Sequence, residues 1–266
     1  MSVFAEDALK GEHALITGAT GGIGYETAKV LASMGADVTI TGRREDLLIQ
    51  LKEEIDEKNG DVNVFPCPAD LVKSEERERL VAESVDKNGS VTMLINSAGT
   101  LGGGMVNELT QDELERVMHM NFTVPILLSQ QIYAFMKHRK TEVIVNVASL
   151  SGIRGTVGNT AYAGSKFALI GFTQSFAVEA IQHGIRVNAV CPGYVDTEMG
   201  KNSIERKAVR EGRSFEEQFR LANEGTPSGR ISNPKEVANT IAFLLTDAAS
   251  NIVGESVKIS GGSVMH

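Results

Sequence analysis

The sequence predicts an α/β fold, a doubly wound sheet of seven parallel strands with helices on both faces. Three observations carry this. Short apolar runs rich in β-branched residues recur, each followed by a longer stretch with helical spacing of apolar residues. The runs are nearly continuous rather than alternating, as in strands covered on both faces. The first run leads directly into a turn crowded with glycine, Thr17-Gly18-Ala19-Thr20-Gly21-Gly22-Ile23-Gly24, which opens a helical stretch. Right-handed crossovers between such strands give a Rossmann-type arrangement, with ligands at the strands' carboxyl ends.

The strands are expected at 13–16, 37–41, 62–67, 92–96, 142–147, 186–191 and 256–259. Helices are expected at 25–34, 46–58, 74–88, 111–137, 162–183 and 234–245. No Pro/Ser-rich linker, repeat or low-complexity tract divides residues 1–266, so one domain is expected. The net charge of −8 argues against nonspecific nucleic-acid binding, which needs a basic face. Cys67 and Cys191 lie far apart with no metal-ligand or redox spacing, and read as buried small hydrophobes in a reducing compartment. No metal is expected. No apolar run approaches a membrane span, and Glu6 and Asp7 stand where a signal peptide needs a basic start. The expected location is the cytoplasm, where the sequon Asn121-Phe122-Thr123 carries no meaning.

A buried strand, a glycine turn and a helix N-terminus aim backbone N–H groups at a phosphate. Here the glycines at 18, 22 and 24 depart from the common G-x-G-x-x-G spacing. The strand at 37–41 ends in Thr41-Gly42-Arg43-Arg44, with glycine where an NAD site places an acid. An acid would repel a 2′-phosphate, and an arginine just beyond can grip one for roughly 1.5–3 kcal/mol. NADP(H) is therefore favoured over NAD(H), with Arg43 the better candidate. The alternative makes both arginines solvated residues paired with Glu45 and Asp46, which suits Arg44 better.

Tyr162-Ala163-Gly164-Ser165-Lys166 sets a phenol and an ammonium one helical turn apart. Ser149 ends a strand thirteen positions earlier, and Asn121 interrupts a mostly apolar helical stretch. Each has an ordinary reading, Ser149 as a turn or cap and Asn121 as a satisfied core amide. All four downstream of a phosphate turn make coincidence a poor account.

With these residues the sequence resembles the short-chain dehydrogenase/reductase family over essentially its whole length. The matching segments are Thr17-Gly18-x-x-x-Gly22-Ile23-Gly24, Asp70-Leu71, Asn96-Ser97-Ala98-Gly99, Asn121, Ser149, Tyr162-x-x-x-Lys166 and Cys191-Pro192-Gly193. Ser97 departs from the more frequent asparagine. The resemblance implies that Asn121, Ser149, Tyr162 and Lys166 form a catalytic tetrad. It places Gly18, Thr20, Gly22, Ile23, Gly24, Pro192 and Gly193 against the cofactor, with Asp70 and Leu71 at the adenine. Asn96, Ala98 and Gly99 would border the adenosine ribose, and Val195 and Thr197 the nicotinamide amide.

Hydride delivered to a carbonyl carbon leaves negative charge on oxygen, which must be stabilised and protonated. Tyr162 would supply the proton, its pKa lowered from near 10 by cationic Lys166 and an oxidised nicotinamide. Ser149 would donate to the oxyanion, Lys166 would hold the nicotinamide ribose, and Asn121 would position a water leading to solvent.

The segment 199–225 is long and charged, with helical patterns near 203–210 and 214–222. It reads equally as a substrate lid or as a surface excursion. Gly102-Gly103-Gly104 would make the facing loop flexible. The motif set most resembles an NADPH-dependent 3-oxoacyl carrier-protein reductase, with Lys140 and His183 at the positions meeting an acidic carrier. The alternative is a dehydrogenase of a small alcohol, sugar, polyol or steroid; only the carrier-dependent enzyme should slow steeply with salt. An idle NADP-binding sensor is disfavoured by the intact Ser149, Tyr162 and Lys166. Phe167, Ala168, Leu169, Ile170, Phe172, Phe176, Ala177, Val178, Ala180 and Ile181 wrap nearly all round their helix. One face needs cover beyond the sheet, so a homo-oligomer is expected, a tetramer by family resemblance.

Overall fold

The computed structural model describes residues 3–136 and 142–265. Its strands are β1 (His13–Thr17), β2 (Asp37–Thr41), β3 (Val64–Pro66), β4 (Met93–Asn96), β5 (Val143–Val147), β6 (Arg186–Pro192) and β7 (Ser256–Ile259). They form one sheet in the order β3-β2-β1-β4-β5-β6-β7, every pairing parallel. The chain winds outward from β1 to β3, then returns to lay β4 on the other side of β1. The crossovers diverge at that switch point, which opens a crevice at the carboxyl ends. Thr17 is in register there with Thr41 and Asn96.

Side chains alternate across the sheet and build a core on each face. Ala14 and Ile16 of β1 join the apolar cluster under α1 (Gly22–Ala32), α2 (Glu45–Asp56) and α9 (Pro234–Leu245). Leu15 points the other way, into the cluster under α3 (Ser74–Asn88), α5 (Val124–Met136) and α6 (Thr160–Ala180). The predicted doubly wound sheet is the one observed.

The departures are local and physical. α1 starts at Gly22 rather than 25, because the glycine turn itself forms the first helical turn. β3 keeps only three residues of the expected 62–67; it lies at the sheet's edge and Pro66 has no N–H to donate. The expected helix 111–137 divides into α4 (Gln111–Met118), a π-helical turn His119–Thr123, and α5; residue 137 lies outside the described residues. The segment 199–225 holds two helices, α7 (Glu198–Glu211) and α8 (Phe215–Glu224). Cys67 and Cys191 are buried and unpaired. Among the described residues no helix is long and apolar enough to cross a membrane.

Candidate active site

The glycine turn has its spacing because three backbones meet there. Gly18 sits at φ +67°, and a β-carbon on it would lie 2.8 Å from the backbone nitrogen of Ala98. One on Gly24 would lie 2.5 Å from the Gly18 carbonyl oxygen, and one on Gly22 would collide with the Thr197 methyl. Thr17, unassigned from sequence, ties the approach together: its Oγ1 accepts from the N–H groups of Ser97 at 3.0 Å and Ala98 at 3.1 Å. Gly21 caps α1 without a side chain, and the first turn carries no acid. The helix therefore offers open N–H groups and its positive dipole end to an anion.

Gly18, Thr20, Gly22, Ile23 and Gly24 line one end of a cleft of about 2280 Å³ that runs along the carboxyl edge of the sheet. Arg43, Asp70, Leu71, Ala98, Gly99, Pro192, Gly193, Val195 and Thr197 line it too. The Asp70–Leu71 turn is braced by the buried Arg77, which donates to the Leu71 carbonyl at 2.7 Å. Arg44 pairs with neither Glu45 nor Asp46. It donates to the Thr20 carbonyl at 2.8 Å and approaches Glu198, the first residue of α7, at 3.8 Å. Arg43 has no ion pair or side-chain hydrogen bond among the described residues.

Asn96 corrects the expectation. It does not reach the cleft: its amide is buried, donating to Ser129 Oγ at 3.0 Å and Asn146 Oδ1 at 2.9 Å. Asn146 in turn donates to Thr173, so Asn96 braces β4, β5 and α6 from within. Nothing in a local motif separates a residue touching the ligand from one directly beneath it.

Ser149, Tyr162 and Lys166 come together on the floor of the cleft. Ser149 follows β5, accepts from Ser151 N–H at 3.1 Å and hydrogen-bonds the Tyr162 phenol. Tyr162 and Lys166 occupy the first two turns of α6. Lys166 Nζ donates to the Val147 carbonyl at 2.8 Å and lies 5.7 Å from the Tyr162 ring centroid. Burial pushes the phenol's pKa up, opposed by the Ser149 hydrogen bond, and pushes Lys166 down to about 8. Burial is the largest influence on the phenol in the protein alone, and Lys166 is not among the groups that shift it there.

Asn121 lies in the π-helical turn and does not line the cleft. Its Nδ2 donates to the Thr100 carbonyl at 3.0 Å and to Ser165 Oγ at 3.1 Å, while Oδ1 accepts from Thr100 N–H at 2.8 Å. The side chain binds the loop after β4 to α6. A π turn adds one residue to the helix and often marks a functional site; the sequence signalled it only as a polar residue among apolar ones.

On the substrate side α7 forms a wall through Met199, Ser203, Lys207 and Arg210, whereas α8 does not reach the cleft. The facing glycines are held rather than loose. Gly102 packs on Val117, and Gly103 donates its N–H to Glu113 at 2.9 Å. His183 follows the far end of α6, about 30 Å along the helix axis from Tyr162 at 1.5 Å per residue. It packs edge-on to Tyr133 and does not approach the cleft mouth of its own chain. Lys140 lies outside the described residues.

A doubly wound parallel sheet with its crevice at the switch point is the architecture of dinucleotide-binding proteins. Residues 12–208 match the family model described as short chain dehydrogenase. A Streptomyces coelicolor protein named as a ketoacyl reductase is 36% identical over 253 residues, covering 94% of this chain and 96% of the relative. The 3-oxoacyl-acyl-carrier-protein reductase of Aquifex aeolicus is 33% identical, covering 96% and 98%. A crystal structure of an actinorhodin polyketide ketoreductase variant with NADPH superposes with a TM-score of 0.91 at 36% identity, covering 95% and 97%. The chain belongs to the short chain dehydrogenase family. It is an oxidoreductase that interconverts a carbonyl and a secondary alcohol.

Proposed function

We propose that the chain reduces the 3-oxo group of an acyl thioester, using NADPH bound along the glycine turn. The carrying observation is one cleft with uncapped helix amides at one end and Ser149, Tyr162 and Lys166 on its floor. The residues suit the dinucleotide: side chains at Gly18, Gly22 and Gly24 would fill or distort its cradle, and Arg43 stands unpaired where a 2′-phosphate would lie. When bound, the cofactor supplies the hydride for the carbonyl carbon. Tyr162 gives its phenolic proton to the carbonyl oxygen as charge develops there, and Ser149 donates a hydrogen bond to the same oxygen. Lys166, with one Nζ proton on Val147, keeps two to hold the nicotinamide ribose and favour recovery of the phenol's proton. Asn121 acts as a positioning residue for the loop at Thr100.

The names of the relatives support the thioester substrate. The test is NADPH oxidation against a panel of 3-oxoacyl thioesters, diketones, sugars and steroids. The expected result is a kcat/KM for thioesters at least about tenfold above the rest. A sugar or steroid preferred over every thioester would replace this reading with the small-alcohol one.

The oligomer belongs to the same proposal, as does a cytoplasmic location. Phe167 and Val178 are 47% and 67% exposed on the outer face of α6, with flat space at Gly171 between them and at Gly164 one turn before Phe167. No segment of the described chain covers this stripe. A second copy would bury it, two such contacts giving a tetramer; light scattering that returns a monomer mass would overturn this.

A further inference from the structure

We propose that Arg154 and Arg210 form a subsite for a phosphate on the thioester arm of the substrate, an inference that rests on the 3-oxoacyl thioester reading. The chain is acidic overall, yet the outer wall of the cleft carries Arg154, Arg206, Lys207, Arg210 and Arg213 against Glu205 and Glu211. Two elements converge there. Arg154 comes from the loop that follows Ser149, and Arg210 from the last turn of α7. Arg210 lies across Gly158, so close that a β-carbon on that residue would stand 2.6 Å from Nη1. Gly158 has φ +68°, and its missing side chain lets the guanidinium settle on the loop.

Gly158, under Arg210, belongs to the same loop as Arg154, and both arginines line the cleft beside the half-buried Tyr194, whose phenol burial pushes up in pKa and the two guanidiniums pull down. Among the described residues Arg154, Arg206 and Lys207 make no side-chain hydrogen bond or ion pair. Arg210 pairs with Glu211 through Nε alone, at 3.4 Å, leaving its two Nη atoms open. Two guanidiniums with two further cations behind them exceed what Glu205 and Glu211 neutralise and suit the anionic phosphate ester of such an arm. A thioester arm bearing phosphate at its distal end occurs both in coenzyme A and on acyl-carrier proteins. The expected basic residue His183 cannot serve this role from its own chain's far side, whereas Arg154 is five residues from Ser149.

The test is calorimetric titration of NADP⁺-loaded protein with 4′-phosphopantetheine and with pantetheine, beside KM for acetoacetyl-coenzyme A, acetoacetyl carrier protein and the N-acetylcysteamine thioester. Wild type should bind the phosphorylated arm about tenfold more tightly, and Arg154→Ala with Arg210→Ala should erase that ratio. Arg154→Lys should restore part of it, which a purely structural role would not. Equal binding of both arms by wild type overturns the proposal. So does a double variant impaired only with the carrier-borne substrate, because the cations would then read the carrier's surface. Phosphate-dependent binding with no thioester turnover sinks the 3-oxoacyl reading while leaving the subsite standing.

Discussion

The floor of the cleft and its outer wall are built on different constraints. On the floor and at the glycine turn, residues answer to close neighbours within the chain: Gly24 to the Gly18 carbonyl, Gly22 to the Thr197 methyl, Lys166 to the Val147 carbonyl. Such positions admit few residue types whatever the substrate. The wall made by α7 answers to little within the chain. Ile204 and Ala208 anchor it, while Arg206, Lys207 and Val209 line the cleft, the two cations with no side-chain hydrogen bond or ion pair in the described chain. A residue fixed by backbone geometry identifies a reaction class, whereas a residue free of it is available for substrate selection. Thr197 joins the two regions, capping α7 through Oγ1 to Gly200 N–H at 3.1 Å while its methyl meets Gly22.

Breaking the floor should have the largest effect. Tyr162→Phe removes the proposed proton donor and leaves the glycine turn intact, so kcat should fall by roughly 10²–10⁴ while NADPH binds normally by fluorescence titration. Near-normal kcat would remove Tyr162 from the chemistry.

Lys166 provides a second measure of the same floor, through stability. Burial lowers its pKa from 10.5 to about 8, so between those values the unfolded chain holds a proton that the folded chain has released. Stability contributed through this group therefore rises with pH across that window, by about 3 kcal/mol. Denaturant unfolding of the cofactor-free protein should show wild type gaining on Lys166→Met from pH 8 upward. Parallel profiles would mean the ammonium is not desolvated.

The fold was legible because buried parallel strands leave apolar runs that a sequence cannot disguise; β2 and β7 begin and end where those runs do. The cluster of Ser149, Tyr162 and Lys166 was legible as residue types at fixed spacing, but positions set by three-dimensional contact were not. Asn96 and Ala98 stand two apart in one motif, yet one is buried on Asn146 and the other lines the cleft. Thr17 stood in the glycine motif without a readable role, since its importance lies in two N–H groups eighty residues away. The cationic wall was hidden because Arg154 and Arg210 are far apart in sequence and helix charges usually denote a solvated face.

A smaller effect separates Arg43 from Arg44. Arg43 lines the cleft unpaired, whereas Arg44 is engaged with Thr20 and Glu198. Arg43→Ala should lower the preference for NADPH over NADH by about tenfold, and Arg44→Ala by clearly less. Equal kcat/KM ratios for both cofactors in wild type would contradict the assignment at Gly42 and Arg43.

The smallest change should fall on the wall itself. Val209 is 73% exposed yet lines the cleft, so it contributes little to the fold and presents apolar surface to whatever enters. Val209→Ser should leave the denaturation midpoint nearly unchanged, because an exposed site away from caps and cores costs within about 0.5 kcal/mol. If α7 contacts the acyl chain, the same change removes up to about 1 kcal/mol of apolar contact and raises KM for longer 3-oxoacyl thioesters several-fold. Its effect on acetoacetyl thioesters should be smaller, since a four-carbon chain offers less surface to reach the wall. A KM shift independent of chain length would place Val209 off the path of the acyl group and return α7 to a role in holding the cleft's shape.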